Sequence, residues 1–173
     1  MKKQAYAALI LATIFSNSSA QHFDFTTYNV KMFMNTSWRI WTYNTTEKTK
    51  FFCKVDDMVN ITEESVYFNR SYWNLNWTTV SLEGTFDKDY LSMMAVGGVG
   101  TLKDHSEMLL FASSNYQCGV FWIKPLVGDF GWFDLRFKDY NHTGKPENEC
   151  QDYFDSLRRP GYVLYGEYCQ TLQ

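Results

Sequence analysis

Beyond Phe15 the sequence has no apolar run that is both long and free of charge, and a helix crossing a bilayer core of about 30 Å needs one. A membrane anchor is therefore not expected. Clustered Lys and Arg are also missing, with 16 basic residues against 19 acidic ones and a formal net charge of −3. A chain without a basic patch has no surface that tracks phosphates, which excludes nucleic acid as a partner. There is no CxxC pair, and His22, His105 and His142 are scattered, so neither a metal site nor a cofactor is expected. No nucleophile-elbow motif is present. Ser113-Ser114 and His105 come nearest to a hydrolase arrangement, and without the elbow the chain reads as a non-enzyme. The run Gly97-Gly98-Val99-Gly100 lacks the Lys-Ser/Thr of a phosphate loop and reads as a hairpin loop. Internal repeats, low-complexity tracts and interdomain linkers are absent too, which leaves one domain with a sizeable core.

What is present points outside the cell. Lys2 and Lys3 precede an apolar run over 5–15, and Ser18 and Ala20 supply small residues for cleavage. This is the pattern of a secretory signal over 1–20, with the domain over 21–173. Loss of the two signal lysines leaves 16 − 2 = 14 basic residues against 19 acidic ones, or −5. Cys53, Cys118, Cys150 and Cys169 in a secreted chain read as two disulfides, for which sequence alone permits three pairings. Sequons at Asn35, Asn44, Asn60, Asn69, Asn76 and Asn141 mark glycosylation positions that must face water.

From about residue 38 the apolar pattern has period two. Eight runs rich in aromatic and β-branched residues lie at 38–43, 50–55, 65–73, 77–86, 90–96, 107–113, 118–123 and 131–137, separated by turn-like segments that include 56–64. The expected fold class is all-β, an eight-stranded antiparallel up-and-down barrel or a sandwich. An eight-stranded barrel has room for one small ligand. Residues 21–36 read as a short helix or irregular lead-in. A second helix is expected from Pro146 or Glu147 to about Leu157, with acids early and Arg158-Arg159 at its end. Its Cys150, Tyr153, Phe154 and Leu157 share one face, which must pack on the outside of the barrel. The segment 162–165 reads as a further short strand.

The order and spacing of Phe52-Cys53, Tyr116-Gln117-Cys118-Gly119-Val120, Asp134-Leu135, Glu149-Cys150 and Tyr168-Cys169 resemble the tick salivary lipocalins, the group that includes the histamine-binding proteins. The resemblance covers nearly the whole mature chain. It implies a lipocalin barrel with a C-terminal helix outside, and disulfides Cys53–Cys169 and Cys118–Cys150. With Cys118 reaching a helix on the outside, alternation turns Gly119, Phe121 and Ile123 inward and Val120 and Trp122 outward. Phe52 and Lys54 turn inward by the same logic. The Asp134 position resembles the family's inward acidic ligand, which carries Trp132 and Arg136 inward with it.

Amine-binding members of that family show Cys-Asp-Val followed by Glu-Leu-Trp or Glu-Leu-Tyr, because a buried ammonium needs surrounding carboxylates and aromatic faces. This chain has Cys118-Gly119-Val120 and Asp134-Leu135-Arg136. Leu109 stands where the amine binders have an inward aspartate, with Glu107 the nearest acid. Asp134 and Arg136, two apart on one strand face, also suit an internal ion pair. The remaining inward set is apolar: Trp41, Tyr43, Leu91, Met93, Leu109, Phe111, Phe121, Ile123 and Trp132. Gly119 reads as opening space for a bulky ligand. The leading reading is a secreted, extracellular lipocalin that sequesters a small hydrophobic ligand (sterol, fatty acid or eicosanoid) and modulates host immune or haemostatic responses. The alternatives are a protein-binding immunomodulator, acting on a host immune protein or cell-surface receptor, and a histamine or serotonin scavenger. A core packed with aromatics and holding no ligand is the bland reading.

Overall fold

The computed structural model describes residues 28–172 apart from 129 and 141. The signal segment, the start of the lead-in and the Asn141 sequon lie outside the described residues. A five-residue helix α1 (Val30–Met34) is followed by eight strands: β1 (Ile40–Thr45), β2 (Phe52–Ile61), β3 (Ser65–Asn74), β4 (Asn76–Phe86), β5 (Met93–Gly98), β6 (His105–Ala112), β7 (Cys118–Pro125) and β8 (Trp132–Lys138). Helix α2 (Asn148–Ser156), the two-residue strand β9 (Tyr162–Val163) and a 3-10 turn (Glu167–Gln170) complete the chain. Each strand pairs antiparallel with the next from β2 to β8, β8 pairs with β1, and β1 pairs with β2. That last pairing closes an up-and-down barrel. Strand β9 adds to the sheet at Asn44 and Thr45 of β1.

Up-and-down order gives the barrel two unlike ends. One end collects the β2–β3, β4–β5 and β6–β7 connections and is plugged by α1. The Val30 N–H donates to the Leu91 carbonyl at 2.9 Å, the Asn29 N–H donates to the Tyr116 hydroxyl at 3.2 Å, and Lys31 pairs with Glu63 at 2.8 Å. Val30, Phe33 and Met34 have no exposed surface. The other end, formed by the β1–β2, β3–β4, β5–β6 and β7–β8 connections, is the mouth.

Two apolar layers lie on opposite sides of the sheet. Phe33, Ile40, Phe68, Met94, Val96, Leu109, Phe121 and Ile123 fill the inside, whereas Trp41, Val55, Val120, Leu135 and Phe137 form an outer layer covered by Phe154 of α2 and by Tyr165. Cys118–Cys150 ties α2 to β7, and Cys53–Cys169 ties the C-terminal turn to β2 across 116 residues. Both pairings are those the family resemblance implies. A loop of that length removes enough unfolded-state entropy for about 5 kcal/mol in chain-entropy terms.

Several boundaries differ from expectation. Strand β2 runs on through Ile61 where a turn was expected over 56–64, because alternation continues as Lys54, Asp56 and Met58 on one face. Strand β5 starts at Met93, and Tyr90 to Ser92 form a turn. Helix α2 ends at Ser156, so Arg158 and Arg159 lie past its last turn, and the strand expected over 162–165 is only Tyr162–Val163.

Candidate functional site in the barrel interior

Strand β8 lays out the inner wall from mouth to plug. Alternation along it points Trp132, Asp134, Arg136 and Lys138 inward, and Phe133, Leu135 and Phe137 outward beneath α2. Its neighbour β7 turns Gly119, Phe121 and Ile123 inward, opposite Arg136, Asp134 and Trp132.

Six charged side chains meet in the middle of the barrel. Asp134 accepts from the Thr45 hydroxyl at 2.6 Å, from Lys54 Nζ at 2.8 Å and from Arg136 Nη2 at 3.1 Å. Arg136 Nη1 donates to Glu107 Oε2 at 2.5 Å, and Arg70 Nη1 donates to Glu107 Oε1 at 2.9 Å. Arg70 also grips Asp56 through Nε and Nη2, each at 2.7 Å. Three cations therefore balance three anions in one chain of ion pairs. Arg136 lies 4.5 Å from the Phe121 ring centroid, a cation–π contact that adds to its anchoring.

Burial sets the chemistry of these groups. Desolvation pushes the Asp134 carboxyl up, but Lys54 and Arg136 overcome it and hold the group at about 2. Glu107 is also buried, and Arg136 and Arg70 hold it well below the usual carboxylate range. Both acids are ionised and fully engaged at neutral pH. Glu47, in the β1–β2 connection at the mouth, is raised above its ordinary value by burial. Lys138 has a different setting at the plugged end. It is 7% exposed, its Nζ lies 4.7 Å from the Phe33 ring, and desolvation pulls its pKa down to about 8.

Two donors in this wall have no partner among the described residues, the Nε–H of Arg136 and the Nε1–H of Trp132, and both nitrogens are buried. A buried donor left unpaired costs about 1–3 kcal/mol, so each marks a position where an acceptor atom is favoured.

The residues expected in the pocket divide into two groups. Glu107, Leu109, Gly119, Phe121, Ile123, Trp132, Asp134 and Arg136 face the interior. Trp41, Tyr43, Phe52, Leu91, Met93 and Phe111 do not. Trp41 pairs with outward Phe137 and packs on Tyr165, and Tyr43 packs on Phe137. The inward side chains of β1 are Ile40, Thr42 and, past a bulge, Thr45. A bulge at Cys53, whose φ is 52°, breaks the alternation in β2 and leaves Phe52 45% exposed beside outward Trp73. A third bulge, between Leu109 and Phe111, turns Phe111 out to stack on Tyr153 of α2 with centroids 4.7 Å apart. Leu91 sits in the turn before β5, and Met93 faces out because Met94 and Val96 face in.

Gly119 does not open a void. A Cβ there would lie 2.8 Å from Leu109 Cδ1, 2.9 Å from the Phe111 carbonyl oxygen and 3.0 Å from Phe33. Its lack of a side chain is what lets Phe33 pack against β7. Asp56, Arg70, Thr45 and Lys138 were not anticipated. Continuing the alternation Lys54-Asp56 and Phe68-Arg70 along β2 and β3 is the sequence signal that finds the first two.

Of the sequons, Asn35, Asn60 and Asn76 are exposed and Asn69 is half-exposed. Asn44 is likewise partly exposed, with its Oδ1 buried and its side chain close to Gly161.

No protein-family model matches the chain, and no curated protein matches its sequence. Solved structures do match it. The AM182 serotonin complex superimposes with a TM-score of 0.65 at 20% identity, over 84% of this chain and 95% of that one. Japanin from Rhipicephalus appendiculatus bound to cholesterol gives 0.57 at 11%, over 78% and 96%. The chain has the fold of the tick lipocalins. The siderocalin Ex-FABP, described as functioning through dual ligand specificities, gives 0.58 at 9% identity over 76% and 94%. The resemblance to tick lipocalins read from the cysteines and their flanking residues is thus borne out at the level of fold. In this chain the interior carboxylates are closed off by the protein's own cations.

Proposed function

We propose that this lipocalin is a secreted salivary protein that sequesters a small host ligand with an apolar body and an oxygen acceptor at one end. A fatty acid, an eicosanoid or a sterol has that form, and its removal dampens host immune or haemostatic responses. The observation that carries this reading is the imbalance in the inner wall: Asp56, Glu107 and Asp134 are saturated by Lys54, Arg70 and Arg136, whereas Arg136 Nε and Trp132 Nε1 keep free donors. An amine would have to displace a guanidinium to reach a carboxylate, which disfavours the histamine or serotonin reading. A ligand oxygen can reach these donors without displacing a charged group. Solved proteins of the same fold include complexes with serotonin and with cholesterol, so the barrel accommodates both chemistries and the wall residues decide. Affinity comes from apolar burial at about 25 cal/mol per Å², and the donors orient the head.

A host protein as an alternative partner is favoured by one surface feature, the exposed pair Trp38 and Tyr140, whose rings meet edge to face at 5.1 Å beside His142. Native mass spectrometry of the secreted protein, followed by extraction of bound lipid, tests the main reading. Trp132→Phe keeps an aromatic ring, though a smaller one, and removes the donor, so it is expected to weaken fatty-acid binding about three- to tenfold. A protein that takes up no fatty acid, eicosanoid or sterol, or that binds serotonin more tightly than any of them, overturns it.

A further inference from the structure

The two ends of the barrel present opposite surfaces. Turns at the plugged end carry more acid than base: Glu63 and Glu64 lie between β2 and β3 and Asp87 and Asp89 between β4 and β5, against Lys88 and the Lys31 of α1, which pair with Glu64 and Glu63. At the mouth, two adjacent tips carry large apolar side chains in full solvent. Leu102 is 92% exposed and Val99 51% in the β5–β6 connection, while Val127 is 91%, Phe130 88% and Leu126 62% exposed in the β7–β8 connection. The tips are joined, because the Leu126 N–H donates to the Asp104 carbonyl at 2.8 Å. Exposed apolar side chains scattered singly need no explanation, but five on two linked tips form a patch that does.

Cations flank the patch. Lys48 and Arg159 line a cleft with Phe130 and Trp122, and Lys124 lies 5.9 Å from the Trp122 ring centroid. Lys48, Lys124 and Arg159 have no ion-pair partner among the described residues. Against them stand Glu47 beside Lys48, Asp129 in the tip sequence, and the nearby Asp104, which is engaged by His105. A third mouth tip shows Leu75, but the Asn76 sequon beside it puts a glycan there if occupied, so the surface is confined to the other two.

We propose that the mouth of the barrel docks on an anionic phospholipid surface, with Leu102, Val127 and Phe130 inserted among the acyl chains and Lys48, Lys124 and Arg159 facing the headgroups. Apolar tips backed by cations suit a lipid interface, whose apolar interior lies under negative charge. The acidic turns are then held on the far side, away from the surface. The inference does not depend on what the interior holds.

Vesicle flotation tests it, using the purified secreted protein with phosphatidylcholine vesicles, with and without about 30% phosphatidylserine. The wild type is expected to float with the anionic vesicles and to be released as salt rises from about 0.1 M to 1 M and the Debye length falls from about 10 Å to 3 Å. Val127→Ser/Phe130→Ser is expected to lower partitioning about tenfold or more, because each side chain loses apolar burial in the lipid. Both residues are solvated in the free protein, so its melting temperature and fatty-acid uptake, measured without vesicles, stay unchanged. A wild type absent from the floated fraction at low salt, a double variant that floats as well as wild type, or tip-dependent self-association without vesicle binding overturns the proposal.

Discussion

Replacing Arg136 by methionine removes the group that joins the two halves of the interior charge network. Its two Nη donors reach Glu107 at 2.5 Å and Asp134 at 3.1 Å, and none of its surface is exposed. Methionine fills much of the same volume, so the cost is mainly electrostatic. Asp134 keeps Lys54 and Thr45, and Glu107 keeps Arg70, but three anions now face two cations. Leaving a buried charge uncompensated costs about 3–5 kcal/mol, a large part of the 5–15 kcal/mol that holds a typical domain folded. At about 2–4 °C per kcal/mol for a domain of this size, melting falls by about 10 °C or more. Adding Glu107→Met restores balance, because Lys54–Asp134 and Arg70–Asp56 remain as direct pairs. The double variant is therefore expected to be more stable than the single one. Urea unfolding at neutral and acid pH measures both. Asp134 is held near 2 in the folded protein against an ordinary 3.8. Its contribution, about 2 kcal/mol by linkage, is present above pH 4 and is lost as pH falls through 2. Without Arg136 the carboxyl pKa rises, so the gap between wild type and variant narrows on acidification. A single-variant cost below about 1 kcal/mol, or a double variant no more stable than the single, refutes the view that the network acts as one unit.

Lys138 shares that pH sign for a different reason: the fold disfavours its charged form by burial instead of favouring it by pairing. Its folded pKa of about 8 lies below the ordinary 10.5, so the unfolded chain binds more protons between those values and stability rises with pH across that window. Lys138→Met is expected to abolish the rise and to stabilise the protein at pH 7 by up to about 3 kcal/mol, read from thermal unfolding between pH 7 and 10; an unchanged slope counts against it. Gly119→Asp recreates the Cys-Asp-Val of amine binders but drives a side chain into Leu109 and the Phe111 carbonyl. A loss of about 1–3 kcal/mol is expected without amine binding, and nanomolar serotonin affinity by calorimetry contradicts this. Phe111→Ala removes a ring stacked on Tyr153 and is expected to cost about 2 kcal/mol while leaving fatty-acid uptake intact. A drop in that uptake places Phe111 inside after all.

The facing of β7 and β8 was legible because Cys118 is tied outward and both strands keep strict alternation to their ends. Where alternation breaks, the reading failed. Bulges at Cys53, between Thr42 and Asn44, and between Leu109 and Phe111 each shift the phase by one residue. That shift is why Phe52 and Phe111 sit on the face opposite to the expected one. A bulge leaves little trace in composition, since it is selected by pairing with the neighbouring strand. Asp56 was taken for a turn residue because an Asp-Asp pair favours turns locally, yet Arg70 across the ladder makes it a buried strand position.

By themselves the residues determined the period-two barrel strands, the presence of four cysteines to pair and the lack of a carboxylate cage for an amine. These follow from local spacing and composition, which survive without knowledge of neighbours. Only the tertiary structure decided which acids and bases meet, that Phe33 occupies the space beside Gly119, that Arg136 and Trp132 keep donors without a partner among the described residues, and that the apolar tips share one end. Those features depend on side chains brought together from distant strands, and closure of the barrel is the step that brings them within reach.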